Sequence, residues 1–460
     1  MNIVREIREQ NHGELIAIRE ADLQISFSEL FSAVDQIRQE LERTIQDTTA
    51  DLPRIGVIFP NGSAYIAVAL AVLETGACFV PIPDELTHSE KQNLISDTAL
   101  HFIIRNSDHG FQLPLGLGFA EINKLPESEP RFPEKDFNGL NPAFIRFSSG
   151  TTGTSKGVVI SHESLFERIL AANTGLNLSP GDRVLWTLPM AHHFAVTIIL
   201  YLYHGVTTIL ETTHRPEELY RAARDSETNL LYGSPFHFAQ LAQCTEAAPL
   251  PHLRMAISTA AALSQEVADA FKKRFQIPIT QALGIIEIGL PILNTRNAIT
   301  NPTALGQPLE PYKIAITSSG ELTIKGPGMF DAYLLPWQPR KDGYFATGDL
   351  CEELTDGTLV LKGRSKSVIN VGGMKVFPEE IEAILNSHPS IRLSRVFPQD
   401  HPTLGSFPCA EIILEDGKAT PSPIELRTHC SKHLSSYKIP MKIQMINSIA
   451  LTPSGKIKRT

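Results

Sequence analysis

Two kinds of apolar run alternate along the first three quarters of the chain. Short β-rich runs, such as residues 54–59, 77–81, 184–188, 207–210 and 255–258, are separated by longer stretches. Residues 63–73 read as helix, with apolar residues at almost every position. Strands alternating with helical stretches predict βαβ units and parallel sheet. The pattern changes at residues 320–363. There the helical periodicity fades and short runs (321–325 and 358–362) alternate with Gly and Asp turns, which predicts an antiparallel subdomain. A compact unit follows Arg364. Residues 378–386 open with Pro and carry three Glu, as suits a helix N-terminus. Residues 409–414 read as a strand and residues 424–434 as a second helix. Residues 107–135, rich in Pro and Gly, read as loop with weak strands. The predicted class is α/β: a large N-terminal domain of parallel sheets with an antiparallel subdomain, residues 1–362, and a small α+β domain, residues 363–460.

Length and composition agree with two soluble domains. At 460 residues the chain exceeds one simple core, and 42% hydrophobic with 20% charged residues is ordinary for a globular protein. A net charge of −9 without a basic run argues against nucleic acid or anionic membrane as the main partner. The most apolar stretch, residues 194–210, is interrupted by His204 and Gly205 and is too short to span a bilayer, so it is expected in the core. Five scattered cysteines without zinc or CxxC spacing predict free thiols in a reducing compartment, the cytoplasm. The charged first twenty residues do not form a signal peptide, and no carrier module follows Thr460, so any carrier protein is expected to be a separate chain.

Chemistry concentrates first in Ser148-Ser149-Gly150-Thr151-Thr152-Gly153-Thr154-Ser155-Lys156-Gly157, between two apolar runs. Glycines let the backbone turn tightly and bring its N–H groups to a ligand, and the hydroxyls and Lys156 add donors. This suits a polyphosphate. The P-loop of ATPases is excluded, because that motif places Lys before Ser or Thr, whereas Gly157 follows Lys156 here. Three further blocks follow: Gly343-Tyr344-Phe345-Ala346-Thr347-Gly348-Asp349-Leu350, then Lys362-Gly363-Arg364-Ser365-Lys366 running on to Gly372-Gly373, then Pro453-Ser454-Gly455-Lys456-Ile457-Lys458-Arg459.

In order and interval these four blocks resemble the adenylate-forming superfamily, over residues 25–459. That family holds acyl- and aryl-CoA ligases, firefly-type luciferases and peptide-synthetase adenylation domains. The resemblance implies that a carboxylate attacks the α-phosphorus of ATP, pyrophosphate leaves, and a thiol then displaces AMP. Charge builds up in the first half, which needs fixed donors, a cation and Mg²⁺. By resemblance, Ser148, Ser149, Gly150, Thr151, Thr152 and Gly153 wrap the phosphates with Lys156 behind them. Lys456 is the catalytic lysine bridging carboxylate and α-phosphate. Asp349 takes both ribose hydroxyls, Arg364 is a second ribose contact, and Glu287 holds Mg²⁺. Lys366 is the hinge of a mobile C-terminal domain, whose rotation would exchange the face bearing Lys456 for one bearing Gly372 and Gly373 at the thiol channel. His192 orients or gates the acid. His193, Phe194, Tyr232, Gly233, Ser234, Ser258 and Ala260 are expected to line the acyl pocket.

Two departures from the family stand out. Its adenine block usually reads Tyr-Gly-x-Thr-Glu, whereas this chain has Leu283-Gly284-Ile285-Ile286-Glu287. Leu283 can still cover a base, but Ile286 lacks the hydroxyl that contacts the α-phosphate, and losing such a donor costs on the order of 100-fold in rate. The block Ser258-Thr259-Ala260-Ala261-Ala262-Leu263 lacks the family's usual glycines. Phe194-Ala195-Val196-Thr197 offers no carboxylate for an α-ammonium, which disfavours amino acids. An aryl or small to medium acyl acid is expected, with CoA or the phosphopantetheine of an acyl carrier protein as acceptor. A patch of Arg364, Lys366 and Lys375 could receive an acidic carrier. The alternative is a catalytically silent homologue that binds nucleotide or acyl ligand as a scaffold, motivated by Leu283 and Ile286.

Overall fold

The computed structural model describes residues 1–46, 48, 50–147, 156–195, 197–213, 215–246, 248–371, 374–401, 405–451 and 457. Two nine-stranded sheets form the large part of the molecule. In one, Arg54–Ile58 runs parallel to Cys78–Pro81 and Phe102–Ser107, and Pro142–Phe147 continues beside Cys78–Pro81. In the other, Ile16–Glu20, Thr207–Leu210, Arg183–Trp186, Leu230–Gly233, Met255–Ser258 and Ile279–Ile285 lie side by side, all parallel. The predicted runs 207–210 and 255–258 therefore are strands with the expected bounds.

The second sheet is covered on both faces. Trp186, Tyr232 and Ile257, aligned across three strands, point into the main core. Their neighbours Leu185, Leu231 and Ala256 point into a separate cluster beneath the outer helices. This two-sided burial is why the strands read as continuous apolar runs rather than alternating ones. Helix Ser63–Glu74 belongs to the main core, and ten of its twelve residues are buried. A helix apolar all round is the sequence mark of such a position. By contrast, Phe27–Ile45 buries one stripe (Phe27, Leu30, Val34, Ile37, Leu41) and begins with a capping box between Ser26 and Glu29. The apolar stretch 194–210 supplies the buried helix Ile198–Tyr203 and the strand Thr207–Leu210. Among the described residues no helix is long and apolar enough to cross a membrane.

Residues 107–135 are more regular than expected. Phe119–Lys124 is a full antiparallel partner of Phe102–Ser107, paired from Phe102↔Lys124 to Ser107↔Phe119. Its flanking Pro and Gly mark turns, and they masked the strand between them.

The antiparallel subdomain is a four-stranded sheet of Lys313–Ile316, Glu321–Lys325, Phe345–Glu353 and Leu359–Arg364. The last strand starts one residue later and runs two residues further than the pattern suggested, which brings Arg364 into register with Asp349. The C-terminal unit packs helices Pro378–Asn386 and Pro423–Ser431 on a five-stranded sheet built around the hairpin Ile391–His401/Gly405–Leu414. Its buried Glu382 accepts a 2.7 Å bond from the Val396 amide, so the carboxylate is satisfied inside the core. All five cysteines are buried free thiols.

Candidate active site

Parallel strands leave a crevice beyond their carboxyl ends, and ligands of open α/β sheets bind there. Gly233 and Ser258 are register partners at that edge. The Thr259 amide donates to the Gly233 carbonyl at 3.0 Å. Ser234 opens helix Pro235–Gln243, and its amide and hydroxyl lie 3.1 and 2.9 Å from His237 Nδ1. Tyr232 is buried and packs edge-on against Tyr201, and burial pushes its phenol up. Ser258 is fully buried, and its hydroxyl has no hydrogen-bond partner among the described residues. Phe194 is also fully buried, with its ring 5.8 Å from Tyr65 and 5.7 Å from Phe79.

His192 sits on the short helix Met190–His193 and bonds Glu85 across the crevice, Nε2 to Oε1 at 3.0 Å. His193 lies beside it on the same turn and is half-buried. Asn61 fixes this turn from both sides: its amide donates to the Leu188 carbonyl at 3.1 Å, and its oxygen accepts from the Met190 amide at 2.9 Å. Thus loops following two strands of one sheet hold the histidine segment that follows a strand of the other. The bond from His192 is the main reason the Glu85 carboxyl titrates below its usual range.

The expected phosphate side starts from the hairpin Pro142–Phe147/Gly157–Ser161, whose strands flank the glycine- and hydroxyl-rich segment as predicted. Ser148, Ser149, Gly150, Thr151, Thr152 and Gly153 lie outside the described residues. Lys156, at the loop's end, is exposed, and its ammonium lies 4.6 Å from the Tyr333 ring centroid. The Tyr333 hydroxyl donates to Glu287 Oε1 at 3.1 Å. Lys156 and Glu287 are thus joined by one aromatic ring, although 131 positions separate them in the chain. Beneath them is Arg168, which is buried. It donates through Nε and a terminal nitrogen to the Gly328 carbonyl at 2.9 and 2.6 Å, and through its other nitrogen to the Ile286 carbonyl at 3.1 Å. Burial lowers this guanidinium to about 10. The Phe330 amide closes the ring of contacts with a 2.7 Å bond to the Glu287 carbonyl.

Glu287 fits the role of a single magnesium ligand. Its side chain is half-buried, and one carboxylate oxygen is taken by Tyr333. No group of three metal-ligating side chains occurs among the described residues. Mg²⁺ commonly uses one or two carboxylates plus substrate phosphates, so such a cluster is not required.

At the subdomain, Asp349 is 2% exposed and its Oδ1 is 2.7 Å from Arg364 Nε. The two expected ribose contacts therefore already contact each other. Tyr344 is half exposed nearby in sequence. Gly363, between Lys362 and Arg364, lies so close to the C-terminal unit that a methyl group there would come within 2.9 Å of Phe377 and Glu379. Lys366 lies in the single turn Ser365–Ser367, between the four-stranded sheet and the first strand of the C-terminal unit, Ile369–Val371. Gly372, Gly373 and Lys456 lie outside the described residues.

The departures have clear local structure. Leu283 and Ile286 are half-buried against the main core. Gly284 is exposed at a strand irregularity between Leu283 and Ile285, where a methyl group would lie 3.5 Å from Thr259 Oγ1. Ala260 adopts φ +72°, a left-handed conformation that glycine takes at little cost. Sequence reading missed Asn61, Tyr65, Glu85, Arg146, Arg168 and Tyr333. Arg146 alone carried a signal, being the lone charge in the apolar strand Pro142–Phe147.

Comparison with known families supplies the remaining context. Residues 6–334 match the AMP-binding enzyme family, and residues 380–456 match the AMP-binding enzyme C-terminal domain. The chain is 24% identical over 445 residues to a 2-succinylbenzoate–CoA ligase of Listeria monocytogenes, covering 94% of each chain. It is 26% identical over 514 residues to 4-coumarate–CoA ligase-like 4 of Oryza sativa, covering all of this chain and 92% of that one. It is also 26% identical over 442 residues to a sulfoacetate–CoA ligase of Cupriavidus necator, covering 88% and 86%. The fold matches o-succinylbenzoate CoA synthetase of Bacillus subtilis, solved with its acyl-adenylate, with a TM-score of 0.84 at 20% identity over 100% and 97% of the two chains. The chain belongs to the AMP-binding enzymes, the adenylate-forming superfamily that includes the acyl- and aryl-CoA ligases.

Proposed function

We propose that this chain activates a small or aryl carboxylic acid with ATP, through an acyl-AMP, and passes the acyl group to the thiol of CoA or of a carrier-bound phosphopantetheine. The observation that carries the reading is the Lys156–Tyr333–Glu287 contact, which joins an ammonium and a carboxylate through one ring; a phosphate-binding cation and a magnesium ligand would need such an arrangement. In this reading Lys156 and the loop before it hold the leaving pyrophosphate. Glu287 holds Mg²⁺, which supplies charge neutralisation at the phosphates when bound. Asp349 and Arg364 seat the ribose, and His192 orients the acid. Lys456 stabilises both attacking carboxylate and α-phosphate. The large domain ends with the strand Leu359–Arg364, two residues past the expected division at 362 and 363, and rotation about Lys366 brings Gly372 and Gly373 to the thiol. The chain works in the cytoplasm.

The test is pyrophosphate release with ATP and Mg²⁺ across benzoates, cinnamates, short acyl acids, fatty acids and amino acids. Turnover with one class, abolished by Lys456→Ala in a folded protein, is expected. Wild-type release from that variant would reject the assignment of Lys456. A second reading, a silent nucleotide- or acyl-binding scaffold, has one observation in its favour: Ile286, which offers no hydroxyl, packs against the core at the position where the family resemblance implies a phosphate contact. Nucleotide binding without turnover on any acid would establish it.

A further inference from the structure

The strand leading into the phosphate loop is apolar except for Arg146. Phe144, two residues earlier and on the same face, lies in the core between the two large sheets, while Ile145 faces the opposite cluster. Arg146 therefore points into the space between the sheets. Burial lowers its guanidinium to about 10, and the opposing charge it feels most strongly is Glu287. Arg146 is half-buried, yet no ion pair or hydrogen bond joins it to any described residue, and its Nε is buried without a partner among them. Arg168 adds a second positive charge to the same neighbourhood.

Tyr65 is in the same condition. It is 1% exposed, its hydroxyl has no partner among the described residues, and it feels the charges of Arg146 and Glu85. Its ring touches Phe194, beside His192. A half-buried cation whose Nε is shut off from solvent and a buried hydroxyl, neither with a partner among the described residues, are costly unless something else completes them. The other charges on the substrates are already provided for. Lys156 serves the phosphates and Lys456 the reacting carboxylate, so Arg146 is a surplus cation.

We infer that Arg146 and Tyr65 form an anion subsite, and that the acid this chain activates carries a second anionic oxygen group, a carboxylate or a sulfonate. The inference rests on the acid-activating reading above and deepens it. Of the three named relatives, two take acids with such a group, 2-succinylbenzoate and sulfoacetate.

The test compares matched acids in wild type, Arg146→Met, Arg146→Lys and Tyr65→Phe: succinate with butyrate, phthalate with benzoate, and sulfoacetate with propionate. Pyrophosphate release gives kcat and KM, and calorimetry gives acid binding without turnover. Wild type is expected to favour the doubly anionic member by about 10- to 100-fold in kcat/KM. Arg146→Met should lose that preference with the KM for ATP moving less than about 2-fold, and Arg146→Lys should restore part of it. Equal use of both members by wild type overturns the inference. So does an Arg146→Met variant whose KM for ATP rises for every acid, since that places the cation on the nucleotide. If no acid is turned over, the activation reading fails by itself. Calorimetry then decides the subsite: tighter binding of the doubly anionic acid to wild type than to Arg146→Met supports it, and equal binding rejects it.

Discussion

Glu85 and His192 meet at 3.0 Å across the crevice, and they come from different sheets. The bond ties the loop after Cys78–Pro81 to the turn after Arg183–Trp186. Glu85→Gln keeps the shape and removes the charge. The expected result is a rise of about 2- to 10-fold in KM for the acid, with the KM for ATP little changed. The stability effect has a definite sign. A carboxylate whose titration is depressed in the folded state stabilises above its unfolded pKa and loses that contribution as pH falls through the folded value. Both groups are partly exposed, so the difference between wild type and variant should be at most about 1 kcal/mol at pH 6. It should vanish in strong acid, as thermal melts at the two pH values would show.

Ala260 stands at φ +72°. An alanine in that region costs roughly 1–2 kcal/mol relative to the right-handed conformation, and glycine avoids most of this. Ala260→Gly is expected to stabilise the chain by about 1 kcal/mol, after the glycine's extra unfolded-state entropy is subtracted. Denaturant melts check it, and a destabilised variant would show that the alanine methyl contributes packing that outweighs the backbone strain.

Asp349 is buried and its partner Arg364 is half exposed. Asp349→Asn should raise the KM for ATP by about 10-fold or more, because a ribose diol loses a charged acceptor. The fold should survive, since the freed guanidinium can be hydrated. Nucleotide titration and a melt, run on the same preparation, separate the two effects.

Arg168 makes three hydrogen bonds to two carbonyls, those of Gly328 and Ile286. Arg168→Met leaves both without this donor in the interior and should cost about 2–4 kcal/mol. Because Ile286 precedes Glu287, the variant should also need more Mg²⁺ for half-maximal rate. A lowered melting temperature with an unchanged magnesium requirement would assign Arg168 to stability alone.

Much of this architecture could be read from the chain. Runs 207–210, 255–258, 321–325 and 378–386 form the expected elements with the expected bounds. Each is short, and either apolar in pattern or, for 378–386, opened by Pro378 and two Glu, so it is decided by neighbours in sequence. The two strands around the glycine- and hydroxyl-rich segment were legible for the same reason. What could not be read were contacts between distant segments. Tyr333 is an ordinary aromatic until the hairpin beside Gly157–Ser161 carries it to Glu287. Arg168 belongs to an amphipathic helix and gives no local sign that it anchors a turn more than a hundred residues away. Asn61 and Glu85 sit in loops, where a polar residue is the default.

The strand Leu359–Arg364 has two neighbours with different loyalties. Arg364 grips the carboxylate of Asp349, while Gly363, one residue before it, is pressed against Phe377 and Glu379 of the C-terminal unit. A ligand that draws Arg364 away from Asp349 therefore pulls on the same few atoms on which the smaller unit rests. If the chain swivels at Lys366, nucleotide occupancy and the posture of that unit are two readings of a single variable. A probe on Phe377 would then report the filling of a site it never touches.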